Sequence, residues 1–327
     1  MLISGINGFG RFGLHLLKYW LVRAGDAGFS IDYINDDIID IKQAIKIIKN
    51  DKYVSFDEYS ITIDNGYILI NDTSNNFYKI KYTNFPSHQV QWRGDPDLVL
   101  ECSGRNTCRA DAAYFLNNNT KKVIIAATSW DADATLVYGF NHESYSDSHN
   151  IISYGSCTVN AYVMFSQYIH NKFDVINSDV NVIHNVPEYK LDLFDTLDRR
   201  MCTLEKMGPK LLNFLSNTNF NVNYTLIPYS GISMIDLRFE VKNMLNLDDI
   251  LTEIENDING GILDGLYSFI DEDNGGESIN GTEYSTVFIK NKIKVLQNNL
   301  YFYGYFDNEN SVNRYFDLVN YISGEIH

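Results

Sequence analysis

Positive charge is scarce in this chain. Against 42 Asp and Glu, the 327 residues carry 26 Lys and Arg, a formal charge of −16 that opposes binding to a phosphate backbone or an anionic bilayer. A small anionic ligand would then need local positive groups. Long apolar runs are also missing: none approaches the roughly 20 residues of a membrane span. Met1 leads directly into the strand-like LISGI without a charged leader, so no membrane partner is expected and the cytoplasm is the expected location. Cysteine is limited to Cys102, Cys108, Cys157 and Cys202, with no C-x-x-C spacing, which leaves free thiols in a reducing compartment as the default. The seven histidines form no ligand-spaced cluster, so no metal is expected. The many Tyr and Phe read as core and surface residues rather than base-stacking platforms, and nucleic acid is not an expected partner. Internal repeats are absent.

What is present is enough apolar residue, 45%, to fill the cores of about two domains. The opening MLISGINGFGRFG sets Gly8, Gly10 and Gly13 in a G-x-G-x-x-G spacing, a weak signal by itself that reads more readily as a tight turn than as a dinucleotide cradle. Its context favours the cradle. A short strand at 2–6 precedes the glycines, a helix over 14–25 follows with Leu14, Leu17, Leu21 and Val22 on one face, and a second strand at 31–36 ends in acids about twenty positions on. A helix at 40–50, hairpin-like stretches at 60–72 and 77–84, and buried strands at 97–104 and 122–129 around the helix-like CRADAAYFLNN complete an alternating pattern. That pattern predicts an α/β domain with a Rossmann-type doubly wound parallel sheet, its ligand beyond the strand ends at Gly8, Asp36, Ser103 and Thr128. After about residue 155 the strand candidates lengthen, at 179–186, 224–241 and 285–306, which predicts a second α+β domain on a mostly antiparallel sheet. The expected division is 1–155 for the dinucleotide domain, 156–308 for the catalytic domain and 309–327 for an amphipathic helix that packs back on the first.

Cys157 lies in Ser156-Cys157-Thr158 at the start of a helical pattern. A thiol there gains from the helix dipole and unpaired N–H groups, which favour thiolate and can hold an oxyanion. The alternative is a small buried cysteine. His184 closes the strand NVIH, either as a structural residue or as a base that pairs with the thiol.

Taken together, these stretches resemble the glyceraldehyde-3-phosphate dehydrogenase family. GINGFGRFG is similar to its I-N-G-F-G-R-I-G, Asn35-Asp36 to its N-D, ECSG to its E-S-T-G, and SCTVN to its nucleophile motif S-C-T-T-N. His184 falls at the family's nucleophile-to-histidine spacing, and YFDNENSVNRYFDLV resembles W-Y-D-N-E-W-G-Y-S-N-R. The resemblance runs nearly end to end. It implies NAD-dependent oxidation of an aldehyde in which Cys157 attacks the carbonyl carbon, His184 takes the proton, and inorganic phosphate releases the acyl group as an acyl phosphate. It also implies NAD contacts from Asn7, Gly8, Phe9, Gly10, Arg11, Phe12, Asp36, Ser103 and Gly104, and from Asn308 on the nicotinamide. Asp36, with Asp37 beside it, would favour NAD over NADP. Ser156, Thr158 and Thr203 match the subsite of the attacking phosphate, and the family association is homo-oligomeric, a tetramer or a dimer.

Departures concentrate at the substrate's own phosphate. Where the family has H-A-Y-T, this chain reads His184-Asn185-Val186-Pro187. Where the family places an arginine, it has Leu226. Proline offers neither hydroxyl nor N–H, and leucine removes a bidentate cation. The loop after His184 is shorter than the family's, and its Arg199 and Arg200 are candidates either for substitute charge or for plain solvated surface, with Arg238 a weaker candidate. The expectation is an aldehyde other than glyceraldehyde 3-phosphate. The alternatives are acyl release to water or another acceptor, and a non-catalytic NAD-binding regulator or scaffold.

Overall fold

A computed structural model describes residues 1–185, 200–227, 231–242, 246–307 and 311–326. The chain divides into two compact units, one of Met1–Gly155 with the C-terminal stretch from Tyr315, the other of Ser156–Arg314.

In the first unit β1 (Leu2–Asn7) runs through the glycine turn into α1 (Arg11–Arg23), and β2 (Phe29–Asn35) returns parallel to β1. Leu14, Leu17 and Leu21 of α1 are buried as their spacing predicts, but Val22 is 61% exposed. At about 100° per residue Val22 lies within roughly 20° of the buried His15, but two turns further on, where the C-terminal end of α1 becomes exposed. Helix α2 (Ile41–Asn50) begins in a capping box between Asp40 and Gln43. Strands β3 (Ser60–Asp64) and β4 (Tyr67–Asn71) form the hairpin signalled by Asn65-Gly66, both of which adopt positive φ. Next come β5 (Phe77–Thr83), β6 (Leu98–Glu101), α3 (Arg109–Ala113), β7 (Lys122–Ile125), β8 (Ala134–Thr135) and β9 (Ile151–Ser153).

The helix expected over CRADAAYFLNN stops after Ala113. The Tyr114 carbonyl is taken by Arg93 Nε, and Phe115 turns into the core to stack on Trp92. The sheet order is β3-β4-β5-β2-β1-β6-β7-β9-β8, parallel from β5 to β8. The strand order reverses between β1 and β6, which opens a crevice beyond Asn7 and Glu101.

The second unit starts with α4 (Cys157–Phe173), whose N-cap Ser156 accepts from the Val159 N–H. Strand β10 (Val175–Asn185) begins ahead of the expected residue 179. Helix α5 (Thr203–Leu211) follows the undescribed stretch after it. The expected strand over 224–241 is two: β11 (Phe220–Ile227) runs parallel to β10, and β12 (Ile232–Val241) runs antiparallel to it. After α6 (Leu247–Ile258) and β13 (Tyr267–Ile270), the stretch 285–306 supplies β14 (Thr286–Ile289), β15 (Lys294–Leu296) and β16 (Asn299–Asp307). Among the described residues these seven strands form a mixed, mostly antiparallel sheet, ordered β11-β10-β12-β16-β14-β13 with β15 on β16. Phe165 of α4 sits over Phe239, Phe288 and Phe302.

From Tyr315 on, helix α7 (Ser311–Glu325) belongs to the first unit, held there by Tyr315 OH donating to the Ile124 carbonyl at 2.6 Å, by an Arg23–Asp317 pair at 2.6 Å and by Asn320 Oδ1 accepting from the Gly28 N–H. No helix among the described residues is long and apolar enough to cross a membrane.

Candidate active site

The three glycines of the turn are needed for three different reasons. At Gly8 φ is +98°, and a Cβ would lie 2.4 Å from the Ser103 backbone. At Gly13 a Cβ would lie 2.3 Å from the Gly8 carbonyl oxygen, so this glycine lets α1 pack against the turn. At Gly10, the N-cap of α1, a Cβ would meet nothing within 4 Å, and no side chain caps the helix. The N-terminal amides of α1 are therefore left uncovered, as an anion requires. A tight turn alone would not need the second glycine. The residues present fit a dinucleotide pyrophosphate.

Asp36 is only 7% exposed and supports this turn from behind. Its Oδ2 accepts the Phe9 N–H at 2.7 Å, and its Oδ1 accepts those of Ile38 and Ile39 at 2.9 and 2.8 Å. Of about four acceptor positions on a carboxylate, three are filled, which leaves one on Oδ2 for a ribose hydroxyl. Asp37 pairs with Arg105.

Several expected contact residues act from beneath the turn. Phe9 is fully buried against Tyr82, and Phe12 packs between Tyr154 and Tyr315. The Phe9 ring is thus taken up by the core, as an apolar side chain next to an exposed glycine is, while Phe12 is half-buried. The Arg11 guanidinium lies over Tyr53 and beside Asp51 and His15. Asn7 is 1% exposed, its amide spent on Ser87, Glu101 and Asn35. Ser103 donates both N–H and hydroxyl to Glu101, and Gly104 turns with φ +68°.

In the second unit the Cys157 Sγ lies 3.4 Å from His184 Nε2. His184 Nδ1 contacts the Asn185 carbonyl at 2.7 Å. A carbonyl can only accept, so the neutral ring carries its proton on Nδ1 and turns Nε2 to the sulfur as acceptor. Asn185 is itself buried, and its amide is held by the Gly231 carbonyl and Ser233. Burial alone would push the Cys157 thiol up. Once Nε2 has taken the thiol's proton, the charge and hydrogen bond of His184, with bonds from Thr158, outweigh it and hold the thiol below its ordinary value. Burial pushes Cys202 up to about 12 and Cys102 well above the usual thiol range.

Two residues far apart in sequence meet beside this pair. Ser156 Oγ and Thr203 Oγ1 are 3.1 Å apart where the N-termini of α4 and α5 converge, and Thr158 Oγ1 lies 3.8 Å from the sulfur. Leu226 is the direct partner of His184 across β10 and β11, and the Tyr224 and Phe306 rings lie 5.6 and 5.9 Å from the imidazole.

The arginine candidates fare differently. Arg200 is exposed and lines a separate cavity of about 420 Å³ with Glu205, Asn217 and Asn221. Arg238 is neutralised by Asp179 at 2.6 Å and held by Asn177 and Asn299, at a register five residues before His184 along β10. Pro187, Arg199 and Asn308 lie outside the described residues. Sequence reasoning assigned no role to Glu101, Asn185 or Tyr224. The available signal was a charged residue closing the apolar strand LVLE and an amide directly after the histidine. Among the described residues no group of three or more His, Cys, Asp or Glu could hold a metal ion.

A crevice shaped for a dinucleotide, in a chain that also holds an activated thiol, defines the class of NAD-dependent oxidoreductases. Residues 3–109 match the family described as glyceraldehyde 3-phosphate dehydrogenase, NAD binding domain. The chain is similar to glyceraldehyde-3-phosphate dehydrogenase 1 of Bacillus cereus, 26% identical over 337 residues that cover 98% of both chains. It is similar at 25% to glyceraldehyde-3-phosphate dehydrogenase 1 of Drosophila melanogaster, over 98% of both chains, and at 25% to glyceraldehyde-3-phosphate dehydrogenase B of Aspergillus oryzae, over 98% of this chain and 97% of that one. The chain thus resembles glyceraldehyde-3-phosphate dehydrogenases at low identity over nearly its whole length, and its first unit matches their NAD binding domain, with NAD as its cofactor.

Proposed function

We propose that this protein oxidises an aldehyde through a thioester on Cys157, releases the acyl group to inorganic phosphate as an acyl phosphate, and acts on an aldehyde other than glyceraldehyde 3-phosphate. The observation that carries the reading is the 3.4 Å approach of Cys157 Sγ to His184 Nε2 at the N-terminus of α4. NAD would be held by the uncovered amides of α1, by Asp36 on the ribose and by Ser103 and Gly104, with Asn308 on the nicotinamide by resemblance to the family. When bound, it supplies the hydride acceptor.

The chain's own residues carry the remaining steps. Cys157 attacks the aldehyde carbon as thiolate, and the N-terminal amides of α4 stabilise the oxygen that gains charge. His184 Nε2, which has taken the thiol's proton, gives it to that oxygen to form the thiohemiacetal and takes it back as the carbon is oxidised to the thioester. Ser156, Thr158 and Thr203 offer hydroxyls to the attacking phosphate. Leu226 beside His184 sets an aliphatic group where a substrate phosphate would need a cation, which supports the altered substrate. The same leucine favours a second reading, release to water, because a phosphate acceptor also gains from a nearby cation. Resemblance to the family further supports a homo-oligomer in the cytoplasm.

The test is a stopped-flow record of NADH absorbance with excess NAD and a panel of aldehydes, with and without inorganic phosphate, beside Cys157→Ser. A burst near one NADH per site that turns into steady turnover only with phosphate supports the reading. Steady turnover without phosphate favours hydrolysis, and rapid turnover of glyceraldehyde 3-phosphate at micromolar concentration removes the altered-substrate claim.

A further inference from the structure

Glu101 closes β6 at the point where the strand order of the first sheet reverses, is 1% exposed, and has no part in the chemistry above. Its carboxylate takes four neutral donors: Oε1 accepts the N–H of Ser103 at 2.8 Å and the Ser103 hydroxyl, and Oε2 accepts the amides of Asn7 at 2.6 Å and Asn106 at 3.0 Å. Four donors fill the acceptor capacity of an ionised carboxylate. A glutamine there would offer one acceptor oxygen and set an NH₂ against donors.

The donors come from both walls of the crevice. Asn7 ends β1 directly before Gly8, Ser103 follows β6, and Gly8 is so close to Ser103 that a Cβ would reach its backbone at 2.4 Å. One carboxylate therefore ties the residue before the glycine turn to the residue facing that turn. From Asn7 the network continues through Asn35 and Thr83 to the indole N–H of Trp92. Burying a carboxylate among neutral donors costs free energy, and burial raises the Glu101 pKa despite its hydrogen bonds. An apolar residue closing this strand would avoid that cost but would gather none of these donors.

We propose that Glu101 is a positioning residue for the cofactor, holding the Gly8 turn and the Ser103-Gly104 segment at the spacing that a dinucleotide pyrophosphate needs. The proposal rests on the reading of this unit as the NAD domain, and the test separates the two. Calorimetric titration of the full chain and of Glu101→Gln with NAD, ADP-ribose and adenosine monophosphate is paired with thermal midpoints of the unliganded proteins. The expected result is that NAD and ADP-ribose, which carry the pyrophosphate, weaken together by tenfold or more, that adenosine monophosphate weakens by less than twofold, and that the midpoint falls by no more than about 4 °C. Unchanged NAD affinity in a folded variant overturns the proposal. So does an equal loss for all three ligands with a collapsed midpoint, which marks a purely structural role. Failure of the unsubstituted chain to bind NAD overturns the NAD reading itself. Should Glu101→Gln not fold, Asn106→Ala removes one peripheral donor and is expected to weaken NAD about threefold with adenosine monophosphate unaffected; no change there overturns the proposal.

Discussion

His184 and Leu226 are direct partners across the parallel strands β10 and β11, so an aliphatic side chain is the histidine's cross-strand neighbour on the face they share. Leu226→Arg would set a guanidinium at that position. The expected outcome is a gain in kcat/KM for an aldehyde with a terminal phosphate of about 10- to 100-fold, from hydrogen bonds to charge worth about 1.5–3 kcal/mol. Comparison of glyceraldehyde 3-phosphate with its unphosphorylated analogue checks this. A gain of equal size for both would assign the effect to something other than phosphate.

Cys157 is expected to be the thiol that reacts first. Its pKa is lowered, so the thiolate persists to lower pH than in a free cysteine, and the alkylation rate by iodoacetamide should rise with pH through a midpoint below the ordinary thiol value. In His184→Asn the cation and its hydrogen bond are gone while burial remains, which moves the midpoint above that value. Alkylation at neutral pH should then fall by about tenfold or more, one pKa unit being a factor of ten. Identical profiles for the two proteins would refute the pairing. Cys102 and Cys202, raised by burial, should stay unmodified.

Two glycines separate cofactor binding from folding. Gly13→Ala forces a methyl to within 2.3 Å of the Gly8 carbonyl and should cost stability, about 1–3 kcal/mol by overpacking. Gly10→Ala meets nothing within 4 Å and has an ordinary negative φ, so the unliganded midpoint should hold. Its methyl nonetheless stands over the helix N-terminus, and NAD affinity should drop by about tenfold or more. Thermal melts and NAD titrations of both variants decide the matter, and unimpaired NAD binding by Gly10→Ala would move the pyrophosphate elsewhere.

Tyr315→Phe removes a buried hydroxyl that donates to the Ile124 carbonyl at 2.6 Å and anchors α7. A loss of about 1–2 kcal/mol in denaturant midpoint analysis is expected, with the Cys157 alkylation rate unchanged. A neutral result would show that the apolar contacts of α7 hold it without that bond.

Local chemistry made much of this protein legible before any fold was known. The glycine spacing, the Asn65-Gly66 turn, the start of α4 at Ser156 and the parallel sheet each follow from a conformational preference or a period that a few neighbouring residues express. Errors came where a distant group decided. Val22 matched the buried face of α1 by spacing but lies at the end of the helix that the fold leaves exposed. The helix at CRADAAYFLNN was cut short by Arg93, 21 residues from the carbonyl it takes. The strand expected over 224–241 became two with opposite directions relative to β10.

By itself the sequence determined the residue types and their local settings: a thiol at a helix start, a histidine at a strand end, glycines where a phosphate needs bare backbone. Only tertiary structure decided which of these meet. It brought Cys157 to His184 across 27 positions and Ser156 to Thr203 across 47, took Arg238 out of contention by pairing it with Asp179, and brought the Asn7 amide to Glu101 across 94. The reason is physical: periodicity and capping act within a turn or two of chain, whereas hydrogen-bond saturation and charge pairing are settled by whatever the packed fold places within about 3 Å.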